Sequence, residues 1–222
     1  MAQDTPRGQA MNSAPKIVIA GCGPGHIDYV TPAVHYRVAQ AEVLIGASHL
    51  LDLFSLSRAI KLTVGKNITA VLDTMQIYRQ QRIVVLVSGD TGLFSLAHSV
   101  QQRFGHESCQ LIPGISSIQV ACARLGIDWD DLRIISAHGR TPQIDISILR
   151  QSRNIAILAG TSSATVWAAE LLEHLGNNFR AIVCENLTLA DEKVHEIKAE
   201  KLRTAKLSSR TIIVLLHSEE NA

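Results

Sequence analysis

Residues 16–32 read KIVIAGCGPGHIDYVTP: an apolar run of strand length, a turn built on Gly21, Gly23 and Gly25, and then Thr31-Pro32, a pair suited to a helix start. A glycine-rich turn at the carboxyl end of a strand is where α/β folds receive their ligands. The same succession recurs along the chain. TPAVHYRVAQ (31–40) leads to EVLIG (42–46) and a helix near Ser48, and NITAVLDTMQIYRQ (67–80) leads to RIVVLVSG (82–89). This alternation predicts a largely parallel sheet. A second series follows: LRIISAHG (132–139), NIAILAG (154–160), the helical SSATVWAAELLEHL (162–175), AIVCEN (181–186) and RTIIVLLH (210–217), which predict a second α/β unit. Charged and apolar residues alternate over 192–210, as in KVHEIKAEKLR (193–203), a pattern for a hairpin strand and a short helix. The fold class is therefore α/β with two α/β domains, 16–112 and 113–222, divided where the strand CQLI (109–112) meets Pro113-Gly114. The polar residues 1–15 read as a disordered extension.

Composition narrows the function. The chain has 222 residues, 46% hydrophobic and 18% charged, enough to bury a sizeable core and too apolar for a disordered chain. Lys and Arg number 21 against 20 Asp and Glu, so no global basic field would gather a nucleic acid or an anionic membrane. Aromatic residues are only 4%, few stacking platforms for single strands, so a small molecule is the expected ligand. The longest apolar runs, such as 83–87 and 212–216, fall far short of the roughly 20 residues of a membrane-spanning helix. No transmembrane segment is expected, and the polar opening predicts a cytoplasmic protein. Cys22, Cys109, Cys122 and Cys184 are widely spaced without a C-x-x-C pair, so reduced, buried thiols are expected. The nine histidines form no H-E-x-x-H pair, and no metal is expected.

Four turns carry the chemistry. Gly21-Cys22-Gly23-Pro24-Gly25-His26 approaches the dinucleotide pattern G-x-G-x-x-G, but His26 stands at the third glycine position and Pro24 lacks the N–H that cradles phosphate. An ordinary dinucleotide loop is disfavoured. In Ser88-Gly89-Asp90-Thr91-Gly92-Leu93-Phe94-Ser95, Asp90 suits a cap of the next helix or an acceptor for a ligand hydroxyl or amine. Pro113-Gly114-Ile115-Ser116-Ser117 opens a helix whose first N–H groups suit a carboxylate. Ser136-Ala137-His138-Gly139-Arg140 ends a strand with an imidazole and a cation.

In this order GCGPGHIDYVTP, SGDTGLFS, PGISS, SAHGR and CEN (184–186) resemble the tetrapyrrole methylase family, over about residues 16–217. The glycine-rich loop with Thr31-Pro32, SGDTGLFS and HGR most resemble the branch that methylates C5 of precorrin-7 or cobalt-precorrin-7. The resemblance implies S-adenosylmethionine in a cleft between two α/β domains. It implies cofactor contacts at Pro24, Gly89, Asp90, Leu93, Ser116, Ser117, Ala159, Leu187 and Leu189. Thr91 departs from the family, where proline is common. The implied substrate carries acetate and propionate carboxylates, which Arg140 and His138 would meet. His138 and Asp90 are the candidate bases for the proton lost from the ring. A homodimer and a separate C15-methyltransferase/decarboxylase are the implied partners, since a fused relative would continue beyond Ala222. Two readings compete. One is another methylase of the same fold, acting at a different corrin carbon, on a diphthamide precursor or on ribosomal RNA, the last disfavoured by the charge balance. The other is a non-catalytic nucleotide- or metabolite-binding module.

Overall fold

A computed structural model describes residues 17–218 apart from 66, 138 and 140. The expected extension over residues 1–15, and the candidates His138 and Arg140, lie outside the described residues.

The first sheet comprises β1 (Ile17–Gly21), β2 (Val43–Gly46), β3 (Ile60–Thr63), β4 (Ile83–Val87) and β5 (Cys109–Ile112) in the order β3-β2-β4-β1-β5, every pair parallel. β1, β2 and β4 are buried at every residue, as a parallel sheet covered on both faces requires. Their apolar runs hide a period of two. Val18, Ala20, Leu44, Val84 and Leu86 pack with Val34 and Val38 of α1 (Pro32–Ala39) and with Leu50 and Leu51 of α2 (Ser48–Asp52). Ile17, Ile19, Val43, Ile45, Ile83 and Val85 face the other way. They meet Val71 and Met75 of α3 (Ile68–Ile77) and Val100 and Phe104 of α4 (Ala97–Phe104). Pro32 opens α1 at its first position, where its missing N–H costs nothing.

The second sheet comprises β6 (Leu132–Ser136), β7 (Asn154–Ala159), β8 (Phe179–Glu185), β9 (Lys193–Ile197) and β10 (Thr211–His217) in the order β6-β7-β10-β8-β9. It is mixed. Only β6 and β7 run parallel, while β10 is antiparallel to both β7 and β8, and β9 to β8. One face packs on α7 (Ser162–Leu175), with α6 (Ile146–Arg150) and α8 (Ala199–Thr204) completing that layer. The other face packs on α5 (Ser117–Leu125), joined by Tyr29 and Leu93 reaching over from the first half. β9 is an edge strand with exposed Lys193 and Glu196, charges that discourage pairing with another sheet. No helix among the described residues is long and apolar enough to cross a membrane.

Candidate active site

Because the first sheet is parallel, β1, β4 and β5 release their following turns at one edge. Those turns meet at three glycines. A Cβ built on Gly21 would sit 2.6 Å from the nitrogen of Gly114 and 2.7 Å from the carbonyl oxygen of Gly89. One built on Gly114 would overlap the same carbonyl oxygen and the backbone of Gly21. Gly89 adopts φ +66°, a conformation that favours glycine. The peptide groups lock the turns in place: Cys22 N–H donates to the Val87 carbonyl (2.8 Å), Gly89 N–H to that of Gly23 (2.8 Å), and Gly23 N–H to that of Gly89 (3.3 Å).

Asp90 does not cap α4, which begins seven residues later behind Leu96. Its Oδ1 accepts from Gly92 N–H (2.7 Å) and its Oδ2 from Gly114 N–H (3.0 Å), so the carboxylate ties its own loop to the turn after β5. Ser116 caps α5. Its hydroxyl accepts from Gln119 N–H (3.1 Å) while Ser116 N–H donates to Gln119 Oε1 (2.8 Å), a reciprocal capping box.

These turns form one wall of a cleft of about 620 Å³. Pro24, Gly89, Asp90, Leu93, Ser116 and Ser117 line it from the first sheet and from α5, and Ala159 and Leu187 line it from the second half. Eight of the expected cofactor contacts are thus gathered in one place. Leu189 is not part of the lining; it backs the loop instead, where a Cβ on Gly25 would lie 3.0 Å from its side chain. The cleft also draws in Ser88, Phe94 and Ser136 from turns already singled out in the sequence, and His49, Leu50, Leu158, Ser209 and Arg210, which sequence reasoning missed. His49 had a usable signal, since GASHL follows an apolar strand just as GCGPG does. Arg210 had none, because it reaches the cleft only through the reversed direction of β10.

The segment after β8 closes the far wall under strain. Asn186 and Thr188 hold φ of +50° and +72°, and a β-branched residue there is a genuine outlier. Side chains hold it. Arg124 Nε donates to Glu192 Oε1 (2.6 Å) and Nη2 to Oε2 (3.3 Å), while Thr188 N–H donates to Glu192 Oε2 (2.6 Å). Asn186 Nδ2 donates to Asp191 (2.7 Å), and the Ser208 hydroxyl donates to Asn186 Oδ1 (2.6 Å). His26 N–H donates to the Thr188 hydroxyl (3.0 Å), joining the glycine-rich loop to this segment. The bond from Arg124 holds the Glu192 carboxyl below the usual carboxylate range, against partial burial.

The thiol of Cys22 is pushed up to about 12 by burial, so it stays protonated inside the turn. All four cysteines are free; Cys109 is the half-buried one. Among the described residues no group of His, Cys, Asp and Glu could hold a metal.

The profile described as Tetrapyrrole (Corrin/Porphyrin) Methylases matches residues 16–203. The cobalt-precorrin-7 C(5)-methyltransferase of Salmonella typhimurium is 31% identical over 180 residues, covering 81% of this chain and 89% of that protein. The precorrin-6Y C(5,15)-methyltransferase [decarboxylating] of Sinorhizobium sp is 27% identical over 218 residues, covering 93% of this chain and 49% of its own length. The solved uroporphyrin-III C-methyltransferase of Thermus thermophilus, complexed with S-adenosylhomocysteine, shares the fold with a TM-score of 0.75. It is 17% identical, and the match covers 90% of this chain and 96% of that one.

Proposed function

Because the chain belongs to the tetrapyrrole (corrin/porphyrin) methylase family, we propose that it transfers the methyl group of S-adenosylmethionine to C5 of precorrin-7 or cobalt-precorrin-7 in cobalamin biosynthesis. The observation that carries this reading is the cleft. Its volume of about 620 Å³ lies within the ~300–1,000 Å³ of small-molecule sites. Gly23, Gly25 and Gly89 line it without a projecting side chain, so a ligand can rest against backbone there. Apolar Leu93, Ala159 and Leu187 and polar Ser116, Ser117 and Asp90 face the same space, a mixture suited to an adenosyl group and an amino acid tail.

Bound there, S-adenosylmethionine supplies an electrophilic methyl carbon. The protein needs no nucleophile of its own, in keeping with a protonated Cys22. Its residues have to bind, align and exclude water. Pro24, Gly89, Asp90, Leu93, Ser116, Ser117, Ala159 and Leu187 are the proposed cofactor contacts, with Leu189 supporting Gly25 from behind. Arg140 and His138 are proposed to meet the substrate's carboxylates. The protein is proposed to act in the cytoplasm as a homodimer, beside a separate C15-methyltransferase/decarboxylase.

The test is mass spectrometry of purified protein incubated with S-adenosylmethionine and either precorrin-7 or its cobalt form. A gain of one methyl group on either establishes the reaction and picks the route. Cofactor binding without a gain on either assigns the chain to another corrin carbon.

A further inference from the structure

Three titratable side chains line the cleft among the described residues: His49, Asp90 and Arg210. Asp90 is committed to structure, since protonating it would weaken the bonds from Gly92 and Gly114 that close the glycine junction. His49 and Arg210 are not so committed. His49 stands in the first turn of α2, directly past the carboxyl end of β2, and its Nε2 lies 3.4 Å from the Ser88 hydroxyl. Arg210 precedes β10 on the opposite wall, and its guanidinium has no carboxylate partner among the described residues.

His49 is an exposed residue whose imidazole opens to the cleft. Burial first, and the Arg210 cation second, hold its pKa below the ordinary value, with Asp52 on its own helix opposing. The strands packed on α2 bring no further charge to it. β2 and β4 are apolar throughout, and Lys61 of β3 gives its ammonium to the Ser55 carbonyl (2.7 Å). The lowered pKa favours the free base of His49 at neutral pH.

We infer that His49 takes the proton released when the ring carbon is methylated, and that Arg210 holds a substrate carboxylate from the opposite wall; this rests on the methyltransferase reading above. In the transfer an electron pair of the conjugated ring forms the new carbon–carbon bond. The carbon–sulfur bond breaks with its pair going to sulfur, and the sulfonium charge passes to the macrocycle. Loss of one proton to the imidazole restores the macrocycle's charge. A carboxylate seated on Arg210 cancels the repulsion as it binds, so His49 is a stronger base in the complex than in the free protein.

The test compares H49Q, R210A and H138Q with the wild type on the precorrin that the wild type methylates. S-adenosylhomocysteine binding by calorimetry checks that each cleft is intact. H49Q is expected to bind S-adenosylhomocysteine normally, lose at least about 100-fold in kcat, and lose the acid limb of the kcat/KM profile. R210A is expected to raise KM about 10-fold or more. In R210A the His49 titration in the free protein, followed by NMR, is expected to move up, because the repulsion is gone. H49Q with near-normal kcat and the limb in place overturns the inference. So does loss of the limb in H138Q instead, or an NMR titration unmoved in R210A should H49Q fail to bind. A wild type that methylates no corrin precursor overturns the methyltransferase reading itself, and with it the source of the proton.

Discussion

On the side of the first sheet the turns that carry the cleft lining are locked together by backbone. Gly21, Gly89 and Gly114 meet where a single Cβ would overlap a carbonyl, and the turns are joined by peptide hydrogen bonds. On the side of the second half the lock is made of side chains: Arg124, Glu192, Asn186 and Ser208 hold the 186–192 segment, with Thr188 in a backbone conformation that β-branched residues avoid. The two walls should therefore fail differently. A backbone wall admits one residue type per position and breaks all at once, whereas a braced wall loosens by degrees as single bonds are removed.

The largest effect should come from Gly114→Ala, which forces three turns apart. A loss of about 3 kcal/mol or more is expected for such overpacking, a fall of roughly 6–12 °C in thermal midpoint for a chain of this size. Calorimetry should also show S-adenosylhomocysteine binding lost. A variant that melts and binds like the wild type would end the contrast between the walls.

Arg124→Met should cost less, about 1–2 kcal/mol, because the Arg124 side chain is 40% exposed and solvent screens its pair with Glu192. Its pH dependence is specific. Glu192 titrates below its unfolded value, so the stability from this pair is full above about 4.3 and lost as pH falls through the depressed native pKa. Denaturant midpoints measured down the acid range should fall more steeply for the wild type than for Arg124→Met.

Thr188 sharpens the comparison further. Thr188→Ala removes the hydroxyl that accepts from His26 and keeps the strain, while Thr188→Gly removes both. The glycine variant should be the more stable of the two by up to about 1 kcal/mol, the left-handed penalty of ~1–2 kcal/mol outweighing glycine's extra entropy of ~0.5–1 kcal/mol. The reverse order in urea unfolding would show that Thr188 is unstrained. The smallest effect belongs to Arg203→Ala, away from the cleft. Its exposed bonds to Glu170 and Glu173 join α8 to α7, and their loss should barely move the urea midpoint, with any difference vanishing in high salt.

The backbone wall is also the half that could be read from the sequence. Apolar runs at 17–21 and 83–87, each ending in glycine turns, suffice to predict parallel strands releasing loops at one edge, because such strands must be buried on both faces. β3 was not read: IKLT is a mostly exposed edge strand of four residues, too short for its apolar–polar alternation to stand out. In the second half, strand positions were legible but directions were not, since an apolar run reads alike in either sense. The antiparallel seat of β10 between β7 and β8 brings Arg210 into the cleft, and no local pattern announces it. Asp90 shows the same limit at the scale of one residue. Its motif suggested a helix cap or a ligand contact, while its partner Gly114 N–H, 24 residues away, appears only once the turns are packed together.

One cleft, with a wall locked by backbone and a wall braced by side chains, is proposed to hold the cofactor. Hydrogen–deuterium exchange of the full chain with and without S-adenosylhomocysteine tests it most directly. Protection should concentrate on 21–25, 88–93, 114–118, 158–160 and 186–189, drawing on both walls together. Protection confined to one half, or centred on another surface such as the groove around Leu56 and Arg58, would contradict it.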